Sequence, residues 1–144
     1  MLSDEVVSAV ARFFEAGRGP SHDEVSRMVR RAGLDAADPQ VRFPGETIGK
    51  MKRVREVLSH ALDADVAAGE KLVTSLIGSI KAAGGFRPAS DVYASEDTIQ
   101  AARDAFLAEG YELDPEGNLR QALLSDLAGV AATDALRAYV RRAH

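Results

Sequence analysis

The stretch AFLAEGYELDPEGNLRQALL, residues 105–124, decides how this chain is read. Its first residues keep helical spacing and stop at Gly110. Asp114-Pro115-Glu116-Gly117 then supplies turn chemistry, because proline presets one backbone angle and glycine accepts positive φ. Short strands at 111–113 and 118–120 flank that turn, and a short helix over 121–127 follows. Everywhere else apolar residues recur at three- and four-residue intervals, so this hairpin is the only β-structure expected in a helical chain.

Working back towards the N-terminus, Ser95 caps a helix over 96–109. Glu96 and Asp97 stand in its first turn, where the helix dipole favours negative charge. Ile99, Ala102 and Phe106 point inward. Gly84-Gly85 ends a preceding helix over 66–83 with the stripe Val66, Val73, Leu76, Ile77 and Ile80, capped by Asp63 or Asp65. Gly69 falls within that stripe, where a bare Cα lets a neighbouring helix come close. A helix over 47–62 presents Met51, Val54, Val57, Leu58 and Ala61 at helical spacing. Residues 34–46, LDAADPQVRFPGE, read as a loop rich in Asp, Pro and Gly, the longest candidate for mobility.

Ser21-His22-Asp23-Glu24 is a capping box that opens another helix, with Val25, Met28, Val29 and Ala32 inward and Gly33 at its end. The first helix spans 3–16 on Val6, Val10 and Phe13, with Val7 and Phe14 beside them; Gly17 and Gly19-Pro20 stop it. Thr133 opens a last helix running through 142, with Leu136, Tyr139 and Val140 inward. The fold class is therefore mainly α: a compact bundle of six to seven helices with one small β-hairpin. Helix 96–109 and its hairpin have a winged-helix-like shape.

The 144 residues suit a single domain. A chain of this size buries about 70% of the surface it exposes when unfolded, enough for a real core. Hydrophobic residues make up 46% and aromatics only 6%, which points to closely packed helices. There is no cysteine, so disulfides, thiolate catalysis and cysteine-held zinc are excluded, in keeping with a cytoplasmic location. Acidic residues near the start do not fit a secretory leader, and no apolar run is long enough to cross a bilayer.

Motifs for chemistry are weak. Gly45-Glu46-Thr47-Ile48-Gly49-Lys50-Met51 resembles a phosphate loop, but three residues separate the glycines instead of four. Met51 also stands where a magnesium-binding Ser or Thr belongs. His22, His60 and His144 form no paired ligand motif, and Asp63 and Asp65 beside His60 are explained as helix caps. No serine lies in a nucleophile elbow, and no pair of carboxylates stands out as acid and base. The chain is expected to be no enzyme and to need no cofactor.

Charge is more informative. The net charge is −4, yet residues 1–60 carry ten Lys/Arg against nine Asp/Glu, and residues 61–144 carry eight against thirteen. Arg27, Arg30 and Arg31 on one helix and Lys50, Lys52, Arg53 and Arg55 on another form one basic face if the two helices pack side by side. Such a face fits an acidic protein partner or, as the alternative, nucleic acid. On the 3.6-residue repeat Lys52 and Arg55 point outward, while Lys50 and Arg53 border the apolar stripe. Glu109, Glu112, Asp114 and Glu116 form an acidic counter-face, which suggests head-to-tail homo-oligomers. Residues 95–117 hold seven acids and one base, so the winged-helix-like face would be repelled by DNA.

Five blocks carry a family resemblance: VARFFEAGRGPSHDEVSRMVRRAGL (10–34), KRVREVL (52–58), GGFRP (84–88), AFLAEGYELDPEGNLRQALL (105–124) and LRAYVRRA (136–143). In this order and spacing they resemble the N-terminal helical domain of bacterial abortive-infection proteins of the AbiJ type. The resemblance implies a two-part antiviral defence factor, in which such a domain precedes an effector similar to HEPN-type helical RNases. The sequence ends at His144 where a linker would begin. The R-x-x-x-x-H signature of those RNases is missing, since Arg137 is followed five residues later by Arg142. The resemblance thus implies the sensing or regulatory half alone, or a free-standing version of it. Its partner would be a protein or a C-terminal effector domain, and no catalytic residue carries over.

Overall fold

A computed structural model describes residues 1–123. The expected helix over 133–142, and all but the first residues of the expected helix over 121–127, lie outside them. The described residues form six α-helices and one two-stranded antiparallel hairpin: α1 (Asp4–Ala11), α2 (His22–Arg31), α3 (Pro39–Arg42), α4 (Lys50–Ala64), α5 (Val66–Ala83), α6 (Glu96–Ala108), β1 (Tyr111–Leu113) and β2 (Leu119–Gln121).

Local chemistry sets most boundaries. Ser3 accepts a hydrogen bond from the Val6 amide at 3.2 Å and starts α1. That helix ends earlier than its apolar pattern implies. From Arg12 the coil tightens into 3-10 turns, and Glu15 leaves helical geometry before Ala16 and Gly17 take positive φ. Phe13 and Phe14 are both buried by this change of pitch, and the Phe13 ring lies 5.6 Å from that of Phe86.

α4 and α5 form an antiparallel pair joined through Asp65 alone, whose carboxylate accepts from the Ala68 amide at 3.2 Å. Their close approach explains Gly69. A Cβ there would stand 2.8 Å from the Ala61 Cβ on α4 and 2.6 Å from Leu2 Cδ2. α1 packs across α4 and α6, and α2 lies against α4 and α5. One cluster, including Val10, Phe14, Leu58, Leu72, Leu76 and Phe106, forms the core. Val66 is a correction to the expected stripe: as the first residue of α5, next to the Asp65 junction, it is 44% exposed.

The hairpin packs on α6. Glu112 pairs with Arg120 and Leu113 with Leu119, so β2 begins one residue later than expected and takes in Gln121. Asp114 organises the turn. Its carboxylate accepts from the amides of Glu116 and Asn118 and from Asn118 Nδ2, each at 2.9 Å. Burial pushes the Asp114 carboxyl up, but these hydrogen bonds outweigh it and hold the group below the usual range. Gly117 closes the turn at φ 93°, directly over the Phe86 ring, where a Cβ would collide at 2.5 Å. Arg103 of α6 donates from Nε to the Leu113 carbonyl at 2.9 Å and locks the hairpin to the helix.

Residues 34–46 are more structured than their composition implies. Asp35–Ala37 make a 3-10 turn and Pro39–Arg42 make α3. Asp38 caps α3, accepting from the Gln40 amide at 3.0 Å, and Pro39 occupies the first helical position, where its missing N–H costs nothing. Gln40 then gathers the following loop. Its Nε2 donates to the Glu46 carbonyl at 2.6 Å, and its Oε1 accepts from the Ile48 amide at 3.1 Å. The next helix starts at Lys50, three residues later than expected.

Candidate functional site

The seven cations expected to share a basic face divide into two groups. Arg53 is a correction: its side chain is 1% exposed. It donates from Nε to Asp38 Oδ1 at 3.1 Å and from Nη2 to Asp38 Oδ2 at 2.6 Å, a two-pronged ion pair suited to the planar guanidinium. Nη2 also donates to Ser26 Oγ at 2.7 Å, and Nη1 donates to His22 Nδ1 at 3.0 Å and to the His22 carbonyl at 3.3 Å. A guanidinium has no acceptor, so His22 Nδ1 must be unprotonated. Burial first, then the charges of Arg53 and Lys50, push the His22 pKa down. One buried arginine thus ties α2, the start of α3 and α4 together.

Lys50 is also committed to the fold. Its Nζ donates to the carbonyls of Gly17 and Pro20, each at 2.9 Å, fastening the turn between α1 and α2 onto the start of α4. Burial lowers its pKa, and Glu24 opposes that shift. These two residues do not belong to a contact face.

Arg27, Arg30 and Arg31 are exposed and have no side-chain partner among the described residues. Arg27 and Arg31, one turn apart on α2, line a cleft of about 350 Å³ against Ser75 and Ser79 of α5. Glu24 stands in the same cleft, its carboxylate accepting from Ser79 Oγ at 3.1 Å. Lys52 pairs at 3.9 Å with Glu56, both exposed. Arg55 lies elsewhere, in a second cleft of about 480 Å³ with Arg42, Ser59 and His60. The expected continuous face is therefore two separate basic clefts with no lining residue in common.

The acidic counter-face is partly committed as well. Glu112 is paired with Arg120 across the hairpin, and Asp114 holds the turn, while Glu116 is exposed. A shallow groove of about 540 Å³ between α1 and α6 is lined by four alanines, Ala9, Ala101, Ala105 and Ala108, together with Asp4, Glu5, Ser8, Arg12 and Asp104. No group of three or more His, Asp or Glu side chains placed to hold a metal occurs among the described residues. Asp65 is engaged as a helix cap, and His60 faces the second cleft. No helix among the described residues is long and apolar enough to cross a membrane.

Arg42 and Phe43 are hidden in the sequence by the loop-like composition of residues 34–46. The signal was present: Asp-Pro is the cap and first position of a helix, and VRF then places a cation beside an aromatic ring. Comparison with protein families, curated proteins and solved structures finds no match to this chain.

Proposed function

We propose that this chain is a non-enzymatic interaction module, the sensing or regulatory part of a bacterial abortive-infection protein acting in the cytoplasm. The carrying observation is the division of its cations. Arg53 and Lys50 are consumed in structure, whereas Arg27, Arg30 and Arg31 stand exposed along α2 with no side-chain partner among the described residues. Unpaired arginines on a helix face are suited to an acidic protein surface or an attached effector domain, because the planar guanidinium engages carboxylates with two hydrogen bonds. The order of the sequence blocks supports the defence context. The nucleic-acid alternative loses two of the cations it relied on, which leaves it without a continuous phosphate track.

Phage challenge tests the reading. Cells carrying the whole reading frame should form fewer plaques than cells without it. Arg27→Glu with Arg31→Glu should abolish that protection at unchanged protein level. An equal plaque count with and without the native gene, or full protection by the double variant, would overturn the proposal.

A further inference from the structure

The cleft formed by the 3-10 turn Asp35–Ala37, α3 and α4 has features that neither the α2 face nor the sequence blocks explain. We infer that it binds a nucleoside phosphate, with Arg42 and Arg55 holding the phosphate and the Phe43 ring stacking on the base. The inference stands apart from the α2 partner face, since Arg42 and Phe43 take no part in that face.

Size comes first. At about 480 Å³ the cleft falls within the range of small-ligand sites. Its chemistry is biased towards anions. Arg42 and Arg55 both line it, and neither guanidinium has a carboxylate partner among the described residues. The one acid in the lining, Glu56, faces Lys52 at 3.9 Å. Ser59 and His60 add further polar groups from the same stretch of α4, and the Ser59 hydroxyl has no partner among the described residues. Arg55 and Ser59 are one helical turn apart, so they present to one side.

The aromatic component stands next to the cleft through Arg42, outside its lining residues. Phe43 is 47% exposed, and the Arg42 guanidinium sits 5.6 Å from its ring centroid. Exposing a phenylalanine leaves apolar surface in water, and here the backbone is fixed so that it stays out. Asp38 caps α3 from within the buried Arg53 pair, and Gln40 binds the backbone at Glu46 and Ile48. Val41, also exposed, adds apolar surface on the same short helix. An exposed ring beside two guanidinium groups that have no carboxylate partner among the described residues matches a ligand with a flat π-face and a phosphate on one molecule. Bases stack on such rings whatever their identity, while arginine supplies the charge-assisted hydrogen bonds to phosphate.

Isothermal titration of the purified chain with inorganic phosphate, ADP and a short single-stranded oligouridylate tests this. ADP or the oligonucleotide should bind saturably and more tightly than phosphate. Preference for ADP identifies a free nucleotide, and preference for the oligonucleotide identifies a strand; both support the site. Arg42→Glu and Arg55→Glu should each weaken the favoured probe about tenfold or more. Phe43→Ala should weaken it about tenfold while leaving phosphate binding unchanged. Arg87→Glu, which removes an exposed cation elsewhere, should bind as the native chain does. Far-UV circular dichroism checks each fold, and Arg55→Gln repeats the reading should the glutamate disturb α4. No saturable binding by either base-bearing probe, phosphate binding as tight as ADP, or native affinity in the folded arginine variants would overturn the inference.

Discussion

At the scale of single residues, Arg53 separates what a charge can mean in a sequence from what it does in a fold. It sits in KRVREVL beside three other charged residues, yet it alone is drawn inside, because Asp38 waits there as a matching carboxylate. A buried pair of this kind is costly to break from one side. Arg53→Met should destabilise the protein by about 3–5 kcal/mol, since it strands the Asp38 charge. Adding Asp38→Leu should recover much of that loss, as read from urea midpoints; equal loss in the single and double variants would contradict the pairing account. His22 gives the network a pH dependence. Its folded pKa lies below the ordinary 6.5, so the unfolded chain binds the proton first as pH falls. The His22 contribution is present above 6.5 and is lost as pH drops towards the folded value. Urea midpoints measured from neutral pH down to about pH 5 should fall more steeply for the native chain than for His22→Ala.

Elements follow the stripes of the sequence where packing is regular. α5 spans the residues its periodicity predicts, and Gly69 in its first turn is where α4 comes close. Two glycines in that helix should therefore respond oppositely to alanine. Gly69→Ala overfills the contact with Ala61 and Leu2 and should cost about 1–3 kcal/mol. Gly78→Ala meets nothing within 4 Å and should stabilise by about 0.5–1 kcal/mol. A pair of denaturation curves shifted the same way would refute the close-approach reading. Boundaries were less legible where the chain changes pitch or direction. Phe13 and Phe14 continue the apolar pattern while the helix tightens around them, and a periodic stripe carries no sign of that. α3 was hidden by composition, although its Asp-Pro start was readable. The place of Arg53 beside the apolar stripe was readable, but its ion pair was not: Asp38 is fifteen residues away in sequence, and only tertiary placement brings the two together.

For the whole molecule, the sequence pattern yielded the class of fold, a helical bundle with one hairpin, and the grouping of basic residues in the first half of the chain. It did not yield their partition into two clefts and a buried strut, because that depends on how α2, α3 and α4 meet. The acidic hairpin retains Glu116 as an exposed acid even though Glu112 and Asp114 are engaged locally. Head-to-tail association between that end and the α2 face should appear in light scattering as a mass that falls when salt is added. An unchanging monomer mass at low salt would exclude it.

The partition itself is tested most directly by equilibrium unfolding of the seven single alanine variants at Arg27, Arg30, Arg31, Lys50, Lys52, Arg53 and Arg55. Arg53→Ala should lose about 3 kcal/mol or more, and Lys50→Ala about 1.5 kcal/mol. The other five should stay within about 0.5 kcal/mol of the native chain. A flat response at Arg53, or losses as large at Arg27 and Arg31, would contradict the division between cations that build the fold and cations left free to bind.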